Sequence, residues 1–274
     1  MTNGVREVVR GVPARDGAGV HLTRVLGRDT VESFDPFLML DSFDSRDPED
    51  YIKGFPMHPH RGIETLTYLV KGEMEHRDSL GNSGVIRDGG AQWMTAGSGI
   101  LHEEMPKAAE RMLGIQLWIN LPSGEKMAEP EYFDITEEMT GVAELENGSV
   151  RVVAGEFNGV TGVKPRHLQV TFLDIGLESG SIEIPKKPGE TSFLFLLEAD
   201  AIVDGVNYQE KSALLLGDGD SIKLDASNDP VRALFIQGPP LREGIAWGGP
   251  IVMNTPKELQ QAYLDLRNNE FIRH

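Results

Sequence analysis

Thirty-one glycines and sixteen prolines punctuate these 274 residues at short intervals, with β-rich runs between them. Short strands at such density indicate a barrel or a sandwich. Glu64–Val70 reads as a strand followed by a turn at Lys71-Gly72-Glu73. In Gly114–Asn120 the aliphatics share one face while Gln116, Trp118 and Asn120 share the other. The pattern then recurs: Thr191–Glu198 echoes Glu64–Val70, Gly217-Asp218-Gly219-Asp220 echoes Asp88-Gly89-Gly90, and Val231–Ile236 echoes the strand at Gly114. Two copies of one barrel follow from this repeat, spanning 1–138 and 149–274, with the acidic, strand-poor stretch Glu137–Gly148 as the seam. One helix is signalled near the end. Thr255 caps it, Pro256 takes its first position and Glu258 completes a capping box. Its apolar face of Leu259, Ala262, Tyr263 and Leu266 is expected to cover a barrel rather than to dock a partner.

Chemistry concentrates in two short pairs, His58-Pro59-His60 and His102-Glu103-Glu104. Alternate side chains of a strand share a face, so His58 and His60 point one way, as do His102 and Glu104. Pro59 opposes a helix by lacking an N–H and by holding His58 extended. If the two strands face each other, three imidazoles and one carboxylate converge. That donor set suits a divalent first-row transition metal, iron(II) first, with manganese, nickel, copper, cobalt or zinc also admitted. Four protein ligands leave about two positions of an octahedral ion open, which means ligand exchange or chemistry. Glu103 has the opposite parity and is expected to face outward. His76, after a hairpin turn, is expected in an exposed polar turn. Phe55, Trp93, Met94 and Gln116 are candidate walls for a flat aromatic substrate. The second copy has no histidine between His167 and His274, so only the first can build such a site.

Composition excludes several alternatives. With no cysteine there are no disulfides, thiolate zinc sites or cysteine nucleophiles. A net charge of −17, with no local basic patch, opposes direct nucleic-acid binding. No signal peptide or membrane span is visible, so a cytoplasmic location with no membrane partner is expected.

The runs Gly54-Phe55-Pro56-Met57-His58-Pro59-His60-Arg61-Gly62-Ile63-Glu64-Thr65, Gln92–Pro106, Leu117–Leu121 and Gly249–Thr255 resemble the pirin family, double-barrel members of the cupin superfamily. The resemblance covers most of the chain and is loosest between Thr140 and Pro185. It implies an all-β fold of two tandem cupin barrels (double-stranded β-helix, or jelly-roll, barrels) with a short C-terminal helix. It also implies a metal, usually iron, held by His58, His60, His102 and Glu104. The general cupin pattern would take its carboxylate from Glu64 instead; in this family that residue is free to pair with Arg61. Some pirins are quercetin 2,3-dioxygenases, which implies a flavonol and O2 as substrates and Glu104 as the candidate catalytic base. Others are transcription cofactors or bind metabolic enzymes, which implies a protein partner and a regulatory alternative.

Overall fold

The computed structural model describes residues 4–226 and 229–273. Apart from the helix Pro256–Arg267 and single 3-10 turns, the described residues form short, mostly antiparallel strands. No helix among them is long and apolar enough to cross a membrane.

The chain packs as two units. One, the histidine unit, gathers residues 13–28, 37–137 and 241–273; the other, the aliphatic unit, gathers 4–12, 29–36 and 138–240. The histidine unit holds a seven-stranded sheet in the order Glu131–Ile135, Ala91–Thr95, Ile63–Lys71, Met112–Asn120, Phe37–Ser45, Val20–Leu26, Val12–Asp16. Its second sheet runs Phe55–His60, Ile100–Pro106, Met74–Asp78, Ser83–Ile86. The aliphatic unit repeats both. Its larger sheet runs Val5–Arg10, Ser212–Leu216, Thr191–Glu198, Val231–Gly238, Thr171–Leu177, Gly148–Ala154, Gly141–Leu145. Its smaller sheet runs Ser181–Pro185, Ser221–Asp225, Ala201–Val203, Val206–Tyr208. The strands that echo each other in sequence hold the same places: Ile63–Lys71 and Thr191–Glu198 are third, Met112–Asn120 and Val231–Gly238 fourth.

The units differ from a simple cut of the chain into 1–138 and 149–274. Contacts regroup between Glu137 and Glu138, yet both ends of the chain cross that seam. Val5–Arg10 pairs with Ser212–Leu216 in the aliphatic unit, and 241–273 belong to the histidine unit. A sheet edge needs a partner for its free N–H and C=O groups, and an alternating segment satisfies that need whichever sheet it joins. Its pattern therefore does not reveal its destination. The seam is also richer in strand than its acidity suggests. Gly141–Leu145 forms a hairpin with Gly148–Ala154, turning at Glu146-Asn147.

The aliphatic unit is filled by one large cluster that includes Val152, Leu173, Ile184, Leu194, Leu214 and Phe235. One apolar cluster of the histidine unit joins Val20, Leu22, Phe43, Leu69, Met74 and Met112, among others, and the same unit also buries polar side chains such as Thr67, Gln92, Glu104 and Gln116. The C-terminal helix forms as its sequence signals, with the Thr255–Glu258 capping box and Pro256 in the first turn. Leu259, Ala262 and Leu266 pack with Ile251, Met253 and Phe271 of the same unit, while Tyr263 stays exposed.

Candidate metal centre

Phe55–His60 lies at the edge of its sheet, where Pro56 and Pro59 cost the ladder least. It pairs antiparallel with Ile100–Pro106, setting His58 opposite His102 and His60 opposite Ile100. Along Ile100–Pro106 the even-numbered residues are buried and the odd-numbered ones are not. His102 and Glu104 therefore share the interior, while Glu103 faces outward and pairs with Arg77. A register shift between His102 and Glu104 re-aims the strand at this point.

The strands bring three imidazoles together: one ligand atom from each of His58, His60 and His102 lies within 4.8 Å of the others. The partners of the rings fix which nitrogens are available. His58 Nδ1 lies 2.9 Å from the Pro56 carbonyl and His60 Nδ1 lies 3.1 Å from that of Pro250. A carbonyl only accepts, so both Nδ1 atoms donate, and each neutral ring is left with a lone pair on Nε2. Those two Nε2 atoms face each other at 3.0 Å. Two lone pairs cannot bond each other, and a cation between them satisfies both. His102 is buried with neither ring nitrogen hydrogen-bonded, an arrangement that costs free energy unless something coordinates it. Burial, with repulsion from the neighbouring imidazoles, pushes His60 down to about 3 and holds His102 well below its usual value. Both are thus in the neutral, ligating form. The donor set fits a divalent transition metal.

Glu104 is buried on the same strand face as His102 but lies outside the group in which the three imidazoles converge. It accepts hydrogen bonds from Thr67 Oγ1 and Gln116 Nε2, each at 2.7 Å. Glu64 is also buried and accepts one from Thr95 Oγ1 at 2.8 Å. Arg61 has other commitments than the Glu64 pairing expected from sequence. It forms a buried ion pair with Asp265 at 2.7 Å and donates to the carbonyls of Ser98 and Phe271. The charge thereby ties the histidine strand to the C-terminal helix. Gly62 permits the close approach this needs, since it has φ +78° and a Cβ there would fall 2.0 Å from the Val252 carbonyl.

Lateral register explains where Glu104 finds its partners. Arg24, Asp41, Gln116, Thr67, Gln92 and Asp134 are successive neighbours across six strands of the large sheet. Glu104, from the opposite sheet, bonds to the middle of this polar row. His76 meets its far end, corrected from the exposed turn expected for it. It is buried on Met74–Asp78, with Nε2 against the Tyr132 hydroxyl and 3.1 Å from Asp134 Oδ1. Strand parity carries the signal for this, because Met74, His76 and Asp78 alternate inward with Glu75 and Arg77 outward.

A cavity of about 590 Å³ opens onto His58 and His60, in the range of small-molecule sites. Phe55 and Gln116 line it as expected; Trp93 and Met94 do not. Trp93 is buried elsewhere, stacked on Phe133 with ring centroids 6.4 Å apart. The aromatic wall is instead Trp118, whose ring centre is 4.9 Å from that of His60, and Trp247, 5.8 Å from Trp118. Trp247 carries no local sequence signal for this place, since its segment follows the second barrel in the chain yet packs in the histidine unit.

Fold and site together define a two-barrel cupin in which one barrel carries a three-histidine centre suited to a metal. The chain matches the Pirin family model over residues 19–119 and the Pirin C-terminal cupin domain over 172–272. It is 43% identical to a Pseudomonas aeruginosa protein provisionally named quercetin 2,3-dioxygenase, across 96% of each chain. It is 41% identical to Homo sapiens pirin, across 92% of this chain and 88% of that one. The crystal structure of an Acinetobacter baumannii quercetin 2,3-dioxygenase superposes with a TM-score of 0.89 at 30% identity, covering 99% of both chains. This chain belongs to the pirin family.

Proposed function

We propose that this protein is a metal-dependent dioxygenase of flavonols, cleaving the quercetin-type ring with O2 and releasing carbon monoxide. The observation that carries this reading is the pair of His58 and His60 Nε2 atoms, 3.0 Å apart beneath an open aromatic cavity, beside a third imidazole with no hydrogen-bond partner. We assign His58, His60, His102 and Glu104 as the ligands and iron(II) as the ion, from the preference of mixed imidazole–carboxylate sets. When bound, the ion supplies positive charge that stabilises a deprotonated substrate hydroxyl and one-electron chemistry toward dioxygen.

The rest falls to the chain. The Pro56 and Pro250 carbonyls fix the tautomers of His58 and His60. Glu104 takes the proton of the substrate's 3-hydroxyl, and Thr67 and Gln116 hold its carboxylate in place. Phe55, Trp118 and Trp247 offer flat apolar surface to the rings and keep water off them. The dioxygenase assignment of the Pseudomonas aeruginosa and Acinetobacter baumannii relatives supports the same reading.

Oxygen uptake by iron-loaded protein with quercetin tests it, against a His60→Ala variant matched for folding by circular dichroism. Uptake should need both the metal and the 3-hydroxyl. Uptake no greater than that of the variant would remove the dioxygenase reading and favour a regulatory, partner-binding role.

A further inference from the structure

The mouth of the cavity carries two arginines in different electrostatic states. Arg24 is fully committed: its guanidinium makes a two-pronged contact with Asp41, at 2.9 and 2.7 Å, and reaches Asp16 at 2.7 Å. Arg28 lines the same cavity and is exposed. Among the described residues it has no ion pair or hydrogen bond. Its one partner is the ring of Trp247, with the guanidinium carbon 5.5 Å from the ring centre, within cation–π range. Trp247 is itself pinned, its Nε1 donating to the Gly249 carbonyl at 2.8 Å. One wall therefore reads, from the buried end outward, His60, Trp118, Trp247 and Arg28.

From this sequence of groups we infer that Trp247 and Arg28 are specificity residues, selecting a planar aromatic ligand with an anionic group at the end remote from its metal-binding oxygens. The inference rests on the flavonol reading above and adds to it the charge of the distal ring. The chemistry of the wall supports it. An indole face takes a flat ring, and a guanidinium already held over that indole is within reach of an oxyanion lying beyond the ring. The protein's net charge of −17 repels anions in general, so a cation without a carboxylate partner at the rim gives an anionic ligand a local point of attraction. Arg24, neutralised by Asp41 and Asp16, does not compete for it.

Protein loaded with zinc, an ion without redox chemistry of its own, allows a direct test by calorimetry with quercetin and with quercetin sulfonated on its distal ring. Wild-type protein should bind the sulfonated compound more tightly, and Arg28→Gln should erase about tenfold of that affinity while changing quercetin binding less than about twofold. Trp247→Leu should weaken both ligands. The sulfonate preference should also shrink as salt rises from 0.05 M to about 0.5 M, whereas a packing effect would not. Both flavonols binding wild type and Arg28→Gln with the same ratio would overturn the inference and leave the flavonol reading standing. Neither flavonol binding zinc-loaded wild type would overturn both.

Discussion

The two units place different chemistry on the same strand positions. In the histidine unit the pair Phe55–His60 and Ile100–Pro106 sets His58 opposite His102. In the aliphatic unit the pair at the same places in sheet order, Ser181–Pro185 and Ser221–Asp225, sets Ile182 opposite Leu224 and Ile184 opposite Ile222. All four belong to its core. The facing sheets differ likewise. The polar row from Arg24 to Asp134 crosses one, while Val152, Leu173, Phe235, Leu194 and Leu214 are lateral neighbours across the other. Strand order thus requires only that side chains alternate inward and outward. The identity of the inward residues decides whether the interior packs dry or offers lone pairs. The dry version is held by apolar burial. The polar version gives up part of that and depends on paired charges and on whatever the imidazoles bind.

That contrast predicts opposite outcomes for two core substitutions. His102→Leu should reduce metal content, measured by elemental mass spectrometry, to background and abolish oxygen uptake. Yet the metal-free variant should be as stable as metal-free wild type or more so, because a buried imidazole without partners costs about 1–3 kcal/mol. Ile184→Ala should keep the metal and lose about 2–5 kcal/mol in urea titration. A metal-free His102→Leu protein clearly weaker than wild type would break the comparison.

Within the histidine unit, the inward and outward glutamates sharpen it. Glu104→Gln should lower kcat by about 10²–10⁴-fold, the usual contribution of a placed proton acceptor. Glu103→Gln, on the outer face with Arg77, should change stability by less than about 0.5 kcal/mol and activity little. Equal losses would mean that the inward face is not the reacting one.

A last difference between the units is one of pH. In metal-free protein His60 stays neutral down to about pH 3, whereas the unfolded chain protonates it near 6.5. Below 6.5 the unfolded state binds more protons, so stability falls as pH falls, by about 2 kcal/mol at pH 5 for this residue. His102, held well below 6.5, adds in the same direction. Urea midpoints at pH 7 and pH 5 read it directly, and a flat profile would show the triad to be hydrated. The all-leucine and isoleucine counterpart in the aliphatic unit contributes nothing of this kind.

The histidine pairs were legible because a strand's period of two is short-range information: His58 and His60, or His102 and Glu104, need no knowledge of the rest of the chain to share a face. The repeat was legible for the same reason, strand by strand. What stayed hidden depends on distant pairing. Nothing near Trp247 tells that it stands over a cavity lined by residues more than a hundred positions earlier, and nothing near Val5 tells which sheet it will join. The polar row is likewise invisible before the register of six strands is known. His76 lies between these cases, since its parity was readable and its turn-like neighbours obscured it.

The acceptor for His60 Nδ1 is the carbonyl of Pro250, 190 residues further along the chain. This has a temporal meaning. The three histidines leave the ribosome well before Pro250, the group that orients one of them. Until residues 241–273 emerge and settle beside Arg61 and Gly62, the His60 ring has no fixed tautomer to offer an ion. Assembly of the oriented centre therefore waits for synthesis through Pro250, and a nascent chain stalled in the second barrel would display the ligands without the centre.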